Sequence, residues 1–170
     1  MPSGELPPTA VERLQEVGRW MAVNSEAIHD TMPQHPYAVT VESKATNCWR
    51  SADSIDDDDD ASEATRGVSI VSEWRLTRKH AVVYALLLLA PGQKLPLCNS
   101  LALPFVTGIP GGVDGTWPEG ALRSASILGS NEPVDFTFSA ENGLTLDIKP
   151  GMQTKSPFVA TFKLDFSQTS

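Results

Sequence analysis

FVATFKLDF, residues 158–166, alternates apolar and polar side chains with a period of two. Phe158, Ala160, Phe162, Leu164 and Phe166 fall on one side; Val159, Thr161, Lys163 and Asp165 fall on the other. Successive side chains of a strand point to opposite faces, so this stretch reads as a strand with one buried face. Burying its four large side chains contributes roughly 1.5–3 kcal/mol each, ample to set register and face. The same pattern recurs upstream. Leu144, Leu146 and Ile148 alternate with Thr145, Asp147 and Lys149, just after an Asn142-Gly143 turn signal. VDFTFS at 134–139 places Phe136 and Phe138 on one face, and RSASIL at 123–128 leads into Gly129. EWRLTR at 73–78 runs through a Lys79-His80 turn candidate into AVVYALLLLA at 81–90, which Pro91-Gly92 ends. That apolar run is far below the roughly 20 residues a membrane helix needs, and it reads as a strand buried on both faces. Turn-separated strands of this kind predict a mainly β fold, an antiparallel β-sandwich.

The N-terminal part follows a different period. Leu14, Val17 and Met21, with Val11 one turn earlier, make one stripe at helical spacing. Pro7 and Pro8 precede it, Thr9 and Glu12 form a Thr-x-x-Glu capping box, and Asn24 suits a left-handed stop. A stripe of this kind needs a partner surface. Residues 32–66 contain Pro33, Pro36, a Ser/Ala/Asp-rich stretch and five consecutive aspartates at 56–60, and read as an acidic mobile loop. The stretch 101–118, rich in glycine and proline, reads as a second loop. The expected organisation is a helix and linker at 1–31, the acidic insertion at 32–66 and the sandwich at 67–170.

Composition narrows the function classes. The chain has 170 residues, 41% of them hydrophobic, and a formal net charge of −8. Such a surface repels phosphate backbones and anionic membranes, so neither nucleic acid nor membrane is an expected partner. No basic n-region with an apolar core opens the sequence, so no signal peptide is visible. Spacing leaves Cys48 and Cys98 either paired or free. No Asn-x-Ser/Thr acceptor occurs.

The stretch ERLQEVGRWMAVNSEAIHDT at 12–31 carries a more specific signal. It resembles the segment that joins the catalytic barrel of family 29 α-L-fucosidases to their C-terminal β-sandwich, a pattern of the form G-x-[IL]-P-P-x-x-x-x-R-L-x-x-x-G-x-W-[LM]-x-V-N-G-E-A-I-Y-x-T. Gly4, Leu6, Pro7, Pro8, Arg13, Leu14, Gly18, Trp20, Met21, Val23, Asn24, Glu26, Ala27, Ile28 and Thr31 stand in register. Ser25, His29 and Asp30 depart from it. The likeness continues through VVYALLLLAPGQKLPL at 82–97, the 127–150 hairpin and the closing strand with Lys163 and Leu164. It implies the last barrel helix plus the sandwich of a fucosidase whose barrel is absent from this chain. The parent reaction it implies is retaining hydrolysis of terminal α-L-fucose, in a lysosomal or secreted enzyme acting on fucosylated glycans. The helix stripe would then lean on that enzyme's own catalytic barrel.

Retaining hydrolysis needs a carboxylate nucleophile and a carboxylic acid/base flanking the scissile bond. In the resembled family both belong to the barrel, so no catalytic residue transfers to this chain. The aspartates at 56–60 lack the spaced ligands and turn glycine of a calcium loop and read as a solvated run. Glu26 reads as a carboxylate in the first turn of a short helix. His29, His35 and His80 form no i, i+4 pair, so neither metal nor cofactor is expected. Trp20 and Trp74 read as packed. Trp49 and Trp117 are candidates for stacking on a sugar face, with ordinary packing the plainer reading. A stand-alone carbohydrate-binding or structural module is the alternative reading of the chain.

Overall fold

The computed structural model describes residues 4, 6–45, 68–89, 101–103, 106, 122–130, 133–139, 143–149, 152 and 158–166, with 37, 42–45, 68–72, 138 and 139 described in backbone only. Among the described residues, helix α1 (Pro8–Asn24) leads through a single 3-10 turn, Ser25–Ala27, into eight strands. These are β1 (Met32–Ala45), β2 (Val68–Lys79), β3 (Val82–Leu88), β4 (Leu101–Leu103), β5 (Ser124–Ile127), β6 (Pro133–Ser139), β7 (Gly143–Asp147) and β8 (Val159–Asp165). All pairings are antiparallel, in the order β1-β2-β3-β8-β5-β6-β7-β4.

The β-sandwich preceded by a helix is the fold expected from the alternating strands. Its first layer is β1-β2-β3-β8-β5 and its second β6-β7-β4; among the described residues only two pairs, Ala125↔Val134 and Ser126↔Pro133, connect β5 to β6. The two layers share one core. Trp74, Leu76, Val83, Ala85, Leu87, Ala125, Ile127, Ala160, Phe162 and Leu164 come from the first layer, and Val134, Leu144, Leu146 and Leu103 from the second. The Trp74 and Phe162 rings lie 5.9 Å apart, tilted by 45°, a favoured aromatic geometry.

The closing strand is central. Strand β8 pairs with β3 from Val82↔Asp165 to Leu88↔Val159 and with β5 from Ser124↔Asp165 to Ile127↔Phe162. Its pairing continues past both ends, where Leu89 N–H donates to the Phe158 carbonyl at 2.8 Å and Phe166 N–H to the Ala81 carbonyl at 2.9 Å. Ala160, Phe162, Leu164 and Phe166 are buried as the alternation predicts. Phe158 is not: it stays 46% exposed because it sits on the bend before the strand begins. Strand β3 is buried on both faces, as its unbroken apolar run predicts. His80, with φ of 53°, turns the β2–β3 hairpin, and Gly143, with φ of 68°, opens β7 opposite Ser139. Leu144, Leu146 and Ile148 are buried, and Phe136 packs on the core.

Three further expectations differ from the fold. Residues 32–45, assigned to the acidic loop, form β1, which pairs with β2 from Met32↔Arg78 to Ala45↔Val68. The prolines hid this strand. Pro33 and Pro36 lie where the register shifts between Pro33 and Ala38, at the outer edge of the strand order, and edges and bulges are where strands tolerate proline. Beyond the shift, Val39 and Val41 reach the core. Residues 101–103, assigned to the second loop, form β4 against β7. Thr9 does not cap α1: the N-cap is Pro7, with no side-chain cap bond. Proline at the first helical position has no N–H to satisfy, and the Pro7 carbonyl accepts from Ala10 and Val11 N–H at 2.9 and 3.2 Å. The aspartates at 56–60, Cys48, Cys98, Trp49, Trp117 and the rest of the 46–67 segment lie outside the described residues.

Phe162→Ala is expected to lower the free energy of urea unfolding by ~3–5 kcal/mol, the range for deleting a buried aromatic. Phe158→Ala should cost under ~1 kcal/mol. Equal losses would contradict the register of β8.

Candidate functional site

The feature that the sandwich core leaves unexplained is the helix on its outer face. Its C-terminal end is seated. Trp20 and Val23 pack, with Val82 and Val159, against buried Ala27, Tyr84, Leu86 and Leu128. Val82, Tyr84 and Leu86 come from the face of β3 opposite the main core, Val159 from the same face of β8, Ala27 from the 3-10 turn and Leu128 from the residue after β5, so the seat explains why β3 needs apolar residues on both sides.

Polar groups fix the 3-10 turn to the same face. Thr77 Oγ1 donates to the Ala27 carbonyl at 2.7 Å. Lys163 Nζ lies 3.3 Å from both Glu26 carboxylate oxygens, and Lys79 Nζ lies 3.5 Å from Asp30 Oδ2. Thr31 Oγ1 donates to the Ile28 carbonyl at 3.0 Å. Glu26 thus stands in the first turn of the short helix, as its sequence context suggested. Both ion pairs are substantially exposed, and such pairs contribute about 0–1 kcal/mol. Apolar contact therefore dominates the seat. Asn24 is buried with a negative φ of −110°, and its Nδ2 donates to the Trp20 carbonyl at 3.1 Å. It is not the left-handed stop expected of it; that conformation falls on Asp30, with φ of 56°.

The seat contains two groups at odds with their surroundings. Trp20 Nε1 and Thr161 Oγ1 are buried without a hydrogen-bond partner among the described residues. Tyr84 lies beneath the turn. Burial pushes its phenol above the ordinary value of 10.0, and the Glu26 and Asp165 carboxylates push it the same way.

The other end of the helix is bare. Leu6, Val11, Leu14 and Val17 are 62%, 37%, 59% and 56% exposed. At 3.6 residues per turn, Val11, Leu14, Val17, Gly18 and Met21 share an arc of about 120°. Glu12, Glu16 and Arg19 lie on the opposite side of that arc. Scattered exposed apolar residues are ordinary, but a contiguous stripe marks a contact surface. Val17 stays exposed, and Met21 is half-buried.

Among the described residues no three of His, Cys, Asp and Glu converge to hold a metal ion, and no helix is long and apolar enough to cross a membrane.

Neither a protein-family model nor a curated protein matches this chain. A solved structure does: α-L-fucosidase isoenzyme 1 from Paenibacillus thiaminolyticus, with a TM-score of 0.51 and 20% identity. The fold is one found in an α-L-fucosidase. The match covers 98% of this chain, helix and sandwich together, and 28% of that chain. The chain therefore spans less than a third of the fucosidase it resembles, and at this identity the likeness establishes the fold. The bare stripe was readable from sequence. The seat was not, because Thr77, Tyr84 and Lys163 meet Glu26 and Ala27 only through long-range strand pairing.

Two measurements probe the seat. Thr161→Val removes a buried hydroxyl without a partner and should stabilise the chain by about 1 kcal/mol; a loss in urea unfolding would place an unseen partner on that oxygen. Below about pH 10 the Tyr84 phenol is protonated folded or unfolded. Above it the unfolded chain releases the proton first, so stability falls as pH rises through the raised folded value. Tyr84→Phe should flatten this alkaline loss, and absorbance titration of the tyrosines should show one phenol ionising above the ordinary range.

Proposed function

We propose that this chain acts as the C-terminal sandwich of a family 29 α-L-fucosidase, with α1 as the last helix of the catalytic barrel. The reaction served is retaining hydrolysis of terminal α-L-fucose from glycoconjugates, in a lysosomal or secreted setting. The barrel supplies both carboxylates and holds the glycan, and this chain supplies none of the catalytic groups. Its role is to carry and brace the barrel. The observation that supports the reading best is the likeness to a fucosidase across helix and sandwich as one unit. A carbohydrate-binding domain on its own would account for the sandwich but not for an amphipathic helix seated at one end and bare at the other. The sequence motif at 12–31, which places the same helix at a barrel–sandwich junction, supports the reading independently.

The isolated chain is expected to release no nitrophenol from 4-nitrophenyl α-L-fucoside, whereas the α-L-fucosidase barrel encoded at the same locus, joined to this chain, should hydrolyse it. Turnover by the isolated chain that a fucose-mimicking inhibitor suppresses would overturn the proposal. So would the lack of any such barrel at that locus. Saturable binding of fucosylated glycans by the isolated chain would favour a binding module instead.

A further inference from the structure

Gly18 stands in the interior of α1, where only proline is a poorer helix former. Nothing among the described residues calls for it. The described glycines with positive φ are Gly4, Gly129 and Gly143, so Gly18 needs no special backbone conformation. Among the described residues, its own helix backbone aside, a Cβ added there would meet no atom within 4 Å, so no described neighbouring element needs the space either. The residue nevertheless falls within the bare stripe, between the projecting side chains of Leu14 and Val17 on one side and Val11 on the other. The result is a dimple in an otherwise raised apolar surface.

From this we infer that Gly18 marks the point of closest approach between α1 and an apolar side chain of the catalytic barrel's outer helical layer. The inference rests on the docking reading above and adds to it the geometry of the contact. The distance between packed helix axes is set by the side chains at the crossing. A missing Cβ lets a neighbouring helix come closer there and lets a knob from it fill the dimple. The occupant is taken to be the barrel because the solved fucosidase matches helix and sandwich together, while the greater part of that enzyme lies outside the match. An apolar layer also suits the stripe, whose arc carries no charged residue.

The claim separates stability from docking. In the isolated chain Gly18→Ala should raise the thermal midpoint, because alanine favours the helix and clashes with nothing. The same change should weaken docking of the chain to the α-L-fucosidase barrel from the same locus, produced as a separate polypeptide, by about tenfold. Gly18→Leu should weaken it further, and Glu16→Leu, on the opposite side of the helix, should leave it unchanged. Calorimetric titration reads the affinities, and circular dichroism confirms that each variant is folded. If Gly18→Leu docks as tightly as the parent while Leu14→Asp abolishes docking, the inference fails and the docking reading stands. If the parent chain does not dock, or Leu14→Asp docks unchanged, the docking reading itself fails. A lower thermal midpoint for Gly18→Ala would show that the glycine serves the chain's own fold, and would also overturn the inference.

Discussion

Trp74 on β2 and Phe162 on β8 meet diagonally across β3, and most of the molecule depends on that contact being possible. Two large rings fit in adjacent rows only where the residues between them are small. Ala85 pairs with Phe162, and Ala160 pairs with Leu87 beside Trp74; both alanines are fully buried. Alternating large and small residues in this way fills the interior at native density without strain. The constraint reaches far along the chain. Strand β8 comes last in sequence yet lies between β3 and β5. The first layer is complete only when the C-terminal strand has inserted, and such non-local pairing makes assembly slow compared with a helical protein of this size.

The same two strands carry the second, outer contact. Because β3 and β8 lie in the middle of their layer, residues on their outer faces can be covered as well. The helix end and the 3-10 turn do so, resting on Tyr84, Leu86 and Leu128. Hydrophobic burial supplies the affinity of this seat, and the Thr77 and Lys163 contacts supply its orientation. The helix is thereby packed at one end while its other part presents Leu14 and Val17 to solvent.

Legibility differed by element, and the reasons are physical. Strands with strict alternation or unbroken apolar runs, such as β8, β7 and β3, are visible because burial on one or both faces imposes their periodicity directly. Strand β1 was not, since its prolines argue against a strand in the middle of a sheet, and only the sheet order reveals that it is an edge. The short β4 has too few residues to show any period. The helix was plain, but its caps were not: Thr9 and Asn24 are residues that caps favour, and the neighbouring prolines and the packing of Trp20 decided otherwise. At the candidate site, the bare stripe was legible because amphipathic spacing survives in the linear chain. The raised Tyr84 phenol and the unpartnered Thr161 hydroxyl had no local signature.

The amino-acid sequence alone determined the class of the fold, the existence of the helix and the direction of its apolar stripe. These are properties of short-range periodicity, written within a few residues of one another. The tertiary structure alone decided which strands are neighbours, which end of the helix is covered and which polar groups meet at the turn. Those depend on pairings between residues such as Glu26 and Lys163, far apart in the chain, which no local pattern encodes.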